Sequence, residues 1–171
     1  MWPLIAAFLD IALHRSGPDR LPSTPFLVVL LVIIDLPVNL LRLSFADSVS
    51  TTAYAAVFLD TAVFFAFVYG VLIFFRHKRR FRQTASALLG TDILINLIGL
   101  PVAAAAGAPS GSALDWIVTF ASLALLLWWI DVSGYIIAKA IEQPYVVGIM
   151  FMIFYVVAAL SLTSSPTQPA A

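Results

Sequence analysis

Five stretches of about 20 predominantly apolar residues, set apart by short polar or breaker-rich segments, constrain this chain more than any other feature. An α-helix rises 1.5 Å per residue, so a stretch of that length covers the roughly 30 Å of hydrocarbon in a bilayer. The spacing predicts spans over 26–45, 53–75, 84–105, 113–138 and 144–162, which makes 23–162 one transmembrane domain. The punctuation agrees. Ser16 to Pro22 carries Gly17, Pro18 and Asp19 ahead of the first span, and a Ser/Thr cluster stands ready to cap the second. A Gly/Ala/Pro/Ser hairpin from Gly107 to Ser112 divides the third from the fourth, where Ser112 and Asp115 have the spacing of a capping box with Asp in place of Glu. Pro144 opens the fifth as its first helical residue. The expected fold is an all-α integral membrane protein, a bundle of five transmembrane helices with a short amino-terminal interfacial helix. Composition decides the solvent: of 171 residues 62% are apolar and 11% charged, against roughly 25% charged in an ordinary globular chain.

Residues 1–22 read as a cytoplasmic interfacial helix and a breaker-rich loop. Trp2 to Leu13 is apolar but would reach only about 18 Å, too short to span, and lacks the basic start and small-residue cleavage site of a signal peptide. Residues 163–171 are Ser, Thr, Pro, Ala and Gln without periodicity, a composition expected to form a disordered external tail. With the amino terminus in the cytoplasm, Arg15, Arg20, Arg76, Lys78, Arg79, Arg80, Arg82 and Lys139 fall inside and only Arg42 outside. That bias sets the orientation, with the carboxyl terminus external, and the Arg76 to Arg82 run then serves as a topology signal on anionic headgroups.

Several chemistries drop out. The absence of Cys removes disulfides, iron–sulfur clusters and thiolate catalysis. Nine basic residues against nine acidic give no positive face for nucleic acid. His14 and His77 both fall on the cytoplasmic side, too few and misplaced to hold a haem between helices. There is no HExxH zinc motif and no phosphate-binding glycine loop. The paired motifs of intramembrane aspartyl proteases fail at Leu59-Asp60, which lacks the Tyr, and at Leu89-Gly90-Thr91-Asp92, which lacks the first Gly. No enzyme, cofactor or metal is expected.

Three aspartates at depth are the anomaly. Asp35 and Asp92 lie near the middle of the first and third spans and Asp60 somewhat outward in the second. Each costs about 2.5 to 3.5 kcal/mol on insertion scales, so each must be protonated, hydrogen-bonded to a neighbouring helix, or facing water or a cation. Asn39 follows Asp35 by four residues and Asn96 follows Asp92 by four, which puts each carboxyl beside an amide on one helical face. Arg42 continues the first stripe, free to snorkel outward or lean inward, and Pro37, which falls between, frees backbone carbonyls about one turn earlier that the bundle must satisfy internally. Asp35, Asn39, Asp60, Asp92 and Asn96 therefore read either as a polar path for protons or a small cation or as interhelical glue. Asp131 and Asp115 lie closer to span ends, Trp116 and Tyr145 suit interface anchors, and Trp128 and Trp129 suit packing or a lipid or quinone groove. Small residues at four-residue spacing mark close contacts: Ala62, Ala66 and Gly70 in the second span, Ser86 and Gly90 in the third, Gly134 and Ala138 in the fourth. The first of these stripes is the expected interface of its span.

The run Phe81-Arg-Gln-Thr-Ala-Ser-Ala-Leu-Leu-Gly-Thr-Asp-Ile-Leu-Ile-Asn-Leu-Ile-Gly-Leu-Pro101, followed by a Trp-bearing span and a final short hairpin, resembles the core of small bacterial inner-membrane proteins related to the Yip family. The opening Leu13-His14-Arg15-Ser16-Gly17-Pro18-Asp19-Arg20-Leu21-Pro22 is similar to the start of such proteins. The resemblance implies five spans, a cytoplasmic amino terminus and a bacterial inner-membrane location. The long cytoplasmic region of eukaryotic members, linked to small GTPases and traffic, has no counterpart here. The resemblance transfers no functional residue. The function expected from the sequence is an organising or accessory membrane protein acting through helix–helix contacts with the bilayer, with another membrane protein or with itself; the rival is a proton- or cation-coupled carrier or channel component using the three aspartates. Asparagine at 35, 60 or 92 separates them, since glue tolerates the isostere and a carrier does not.

Overall fold

The computed structural model describes residues 2–45, 51–107 and 109–163, with side chains over 3–45, 57–107 and 109–161. Ser48 and Ser50 of the Ser/Thr cluster ahead of the second span and most of the tail, 164–171, lie outside the described residues; Thr51 of that cluster opens α3, and Thr163, expected in the tail, closes the last helix. Among the described residues every regular element is helical: α1 Trp2–Ala12, α2 Pro25–Leu43, α3 Thr51–Phe74, α4 Phe81–Ala104, α5 Ala113–Ala140 and α6 Tyr145–Thr163, with single 3-10 turns at Pro18–Arg20 and Lys78–Arg80. Pro25–Leu43, Val57–Phe74, Lys78–Ala104 and Ala113–Ala140 are long and apolar enough to cross a membrane, while Tyr145–Ser161 is apolar but shorter. The expected limits fall within three residues of the observed ones at every end.

The local chemistry explains where the helices start and stop. Pro25 opens α2 at a position where its missing N–H costs nothing. Ser112 Oγ accepts the Asp115 N–H at 3.1 Å, as expected, but the Asp115 carboxylate takes the Gly111 N–H at 2.8 Å instead of closing the box on Ser112. Gly111 has φ +78°, a left-handed turn that a side chain would strain. Three helices end alike: His14, Arg76 and Glu142 adopt positive φ, and the next N–H reaches back to Asp10, Leu72 and Ala138 respectively. All three stops lie at one end of the bundle, the basic end; the other is the hairpin end, at 105–112.

Packing runs through α4, half of whose span is buried. It pairs closely with α2 and α5, and α5 pairs most closely with α6. Small residues permit the last contact as expected at Gly134 and Ala138, and Gly148 on α6 completes it: a Cβ there would stand 2.0 Å from the Gly134 carbonyl oxygen. Gly90 does the same for α1, its missing Cβ leaving room for the Phe8 ring at 2.2 Å. Ser86 is likewise buried, its Oγ without a partner. The expected interfacial helix is thus seated in the bundle, burying Phe8, Ile11 and Ala12 against α4 and α5 while Ile5, Leu9 and Leu13 stay exposed. An exposed face made of leucine and isoleucine suits lipid better than water, so the helix packs on the bundle with one side and offers an apolar face to the membrane with the other.

α3 makes few close backbone approaches. It is held at arm's length by aromatic side chains, Phe67 against Phe151 and Tyr155, Phe64 against Trp129 and Tyr155, and Phe65 and Tyr69 against Phe81. Bulk at a helix contact widens the interaxial distance, and space is left beside α3. The expected stripe Ala62, Ala66 and Gly70 faces away from the bundle, with nothing within 4 Å of a Cβ built at Gly70. The inward face is Val68 and Leu72 with the aromatic residues. Both faces of a lipid-embedded helix are apolar, so spacing alone did not say which one turns inward. Accordingly, Ala66→Leu is expected to leave monomer stability within about 0.5 kcal/mol, while Phe67→Ala costs about 2 kcal/mol, read from unfolding midpoints in mixed micelles.

Candidate functional site

The aspartates that stood out in the sequence converge. Asp35 lies halfway along α2 and is only 3% exposed. One turn on, Asn39 turns its Nδ2 to the Asp35 carboxylate at 3.1 Å and to the Asp35 backbone carbonyl at 3.2 Å, while Pro37 between them leaves the Ile33 carbonyl without its helical donor. The same nitrogen reaches Asp92 Oδ2 of α4 at 3.5 Å. Asn96 donates to Asp92 Oδ2 at 2.6 Å and to Asn39 Oδ1 at 3.3 Å. The two Asp-x-x-x-Asn turns are therefore cross-linked through their amides, which is possible because α2 and α4 run in the same direction at the same depth.

Arg42 leans inward. Its Nη1 donates to Asn96 Oδ1 at 2.9 Å, so the guanidinium joins the network through an amide. Among the described residues no ion pair links it to a carboxylate. Asp60 of α3 accepts a 3.0 Å bond from the Tyr155 hydroxyl of α6. Tyr155 is the residue that sequence reasoning missed; a hydroxyl midway along an apolar helix was the available signal.

These groups line connected cavities. The first, about 410 Å³, is walled by Asp35, Asn39, Asp60 and Asp92 together with Phe64, Phe65, Trp129 and Tyr155. A second of about 210 Å³ shares Asn39, Asp60, Asp92 and Trp129 and adds Arg42 and Asn96. A third of about 190 Å³ carries the path past Arg42 to Phe45 and Ala106 at the hairpin end. Burial deepens along it: Arg42 and Asp60 are exposed, Asn39 and Asp92 half-buried, Asp35 buried. Toward the basic end the bundle is closed by Val68, Leu72, Val132, Ile136, Ile137 and Met152, all fully buried. The polar cavities thus lie toward the hairpin end, and packed apolar side chains fill the basic end.

The electrostatics is unbalanced. Asp35 Oδ2 has its amide, but among the described residues no N–H or hydroxyl donor reaches the buried Oδ1, and the carboxyl that stands against Asp35 is that of Asp92. Carboxylates from neighbouring helices bridged by one amide repel unless a proton or a cation stands between them, and a buried acceptor left unpaired costs about 1 to 3 kcal/mol. Among the described residues no group of three or more His, Asp or Glu is arranged to hold a metal ion.

The other polar residues serve the basic end. Asp131 binds His14 Nε2 at 3.3 Å and accepts from the Tyr145 hydroxyl, and His14 stacks on Tyr135. That cluster, with Trp128 Nε1 donating to the Ala12 carbonyl at 3.4 Å, fastens the end of α1 to α5 and α6. Tyr145 is thus tied to a neighbour, and Trp128 and Trp129 part company: the first holds α1, the second faces the acidic cavity. Arg80 pairs with Glu142 and donates to the Ala140 carbonyl at 3.3 Å, where the end of a helix dipole favours a cation. Asp115 is occupied by Gly111.

No family model, curated protein or solved structure matches this chain.

Proposed function

We propose that this protein is a multi-pass carrier that binds a cation, the proton included, in the acidic cavity between α2, α3 and α4. One observation supports the reading: three carboxyl groups from three helices line one mid-depth cavity, and the most buried of them has an oxygen that no N–H or hydroxyl among the described residues reaches. Intramembrane carboxylates are costly and are retained where they serve a path or a site. The reading includes five spans, with the 19-residue α6 as the fifth, in a bacterial inner membrane, and no catalysis. The eight-to-one basic bias supports a cytoplasmic basic end and an external hairpin end, so the cavity loads from outside. A relationship to the Yip-like inner-membrane proteins is proposed on the sequence segments quoted above.

The organising or accessory role stays as the second reading because Ala62, Ala66 and Gly70 form a small-residue face turned away from the bundle, available to another subunit. Reconstitution in liposomes separates the two. A protein-dependent flux of protons, alkali cations or organic ammonium ions is expected, and its absence for all three classes returns the accessory role to first place.

Topology is checked separately. Reporter fusions at residue 80 and after residue 171 are expected to report cytoplasm and exterior respectively; a cytoplasmic signal from the second removes the five-span arrangement and the outward loading with it.

A further inference from the structure

The shape of the cavity narrows the kind of cation. An alkali or divalent ion exchanges its hydration shell for several oxygens at short, converging distances, and no metal-holding set of acidic or histidine side chains is present among the described residues. About 410 Å³ is also far more room than a bare ion needs, and falls in the range of small-molecule sites. What faces the carboxylates is aromatic. Phe64 stands with its ring centroid 5.1 Å from Tyr155 and 5.8 Å from Trp129, and all three line the cavity with Asp60. The Tyr155 hydroxyl, donating to Asp60, fixes both the ring and the carboxylate.

Acid on one side and aromatic rings on the other is the chemistry that holds an alkylammonium group: the carboxylate supplies charge, the ring faces supply cation–π attraction, and both tolerate N-alkyl groups that a metal site would reject. We propose that the cavity takes an organic ammonium ion, its cationic head between Asp60 and the rings of Phe64, Trp129 and Tyr155 and its path inward ending at the buried Oδ1 of Asp35. This inference rests on the cation-carrier reading. Arg42, held by Asn96 in the adjoining cavity, offsets part of the negative charge but leaves the carboxylates in excess.

The test is calorimetric titration of the full chain in nanodiscs with choline, with 3,3-dimethylbutan-1-ol, in which carbon replaces the quaternary nitrogen, and with K⁺ and Na⁺. Choline is expected to bind saturably and the neutral isostere not at all. Phe64→Leu should weaken choline about 2- to 30-fold by removing one ring, and Asp60→Asn by about 10-fold or more. The comparison of choline with its isostere needs no variant, so a misfolded variant does not blunt it. Equal binding of choline and the isostere overturns the inference. Saturable K⁺ or Na⁺ binding without choline binding also overturns it while the cation-carrier reading survives. Silence toward every cation, with no flux of any class in liposomes, overturns both.

Discussion

Asp35→Asn is expected to abolish cation movement while leaving the fold in place. The Asn39 amide that now bonds Asp35 Oδ2 finds an equivalent acceptor in the asparagine carbonyl, so the α2 turn keeps its hydrogen bond. What disappears is a group able to carry a negative charge or a proton. At about 4 Å and an effective dielectric of about 20, an ionised carboxylate gives a cation about 4 kcal/mol, roughly a thousandfold in occupancy. Flux in proteoliposomes should fall to background, with the unfolding midpoint little changed. Asp35→Leu provides the contrast, because it strips Asn39 of a partner and costs about 1 to 3 kcal/mol of stability besides. Unimpaired flux in Asp35→Asn would reduce the network to interhelical glue.

Gly148→Leu is expected to be the most damaging substitution outside the site. Its Cβ would lie 2.0 Å from the Gly134 carbonyl oxygen and 2.9 Å from the Ala138 backbone nitrogen, and neither atom can move without its helix. α6 has to withdraw from α5, at a cost of about 3 kcal/mol or more. Because α6 carries Tyr155, withdrawal also takes the hydroxyl from Asp60. Unfolding titrations in mixed micelles should show an early loss of α6, and a variant as stable as wild type would mean that the crossing is looser than the geometry implies.

The helices were legible because an apolar run of bilayer length, ended by proline, glycine or a cluster of charges, has few other readings; Pro25, Gly111 and the Arg76 to Arg82 run do this plainly. The polar half of the site was legible for a related reason, since an aspartate amid leucine and valine is expensive and its i+4 asparagine shares its face. Its other half was not. Which way Arg42 leans depends on how α2 faces α4, and that Asp60 meets Tyr155 on how α3 and α6 rotate; four-residue spacing is silent about both. The Ala62, Ala66 and Gly70 stripe could not be assigned to packing within the chain or to contact with another subunit for that reason, and aromatic bulk on the opposite face took the internal contact. Gly148 escaped notice because its partners, Gly134 and Ala138, sit on a different helix.

The amide cross-link between α2 and α4 also sets an order of birth. Asn39 and Asn96 stand 57 residues apart in the chain, with all of α3 between them. At synthesis rates of about 5 to 20 residues per second, α2 waits roughly 3 to 11 s for the segment that satisfies it. During that interval its aspartate, whose insertion costs about 2.5 to 3.5 kcal/mol, has only Asn39 of the same helix for a partner. A ribosome stalled before residue 92 therefore leaves α2 without its counterpart.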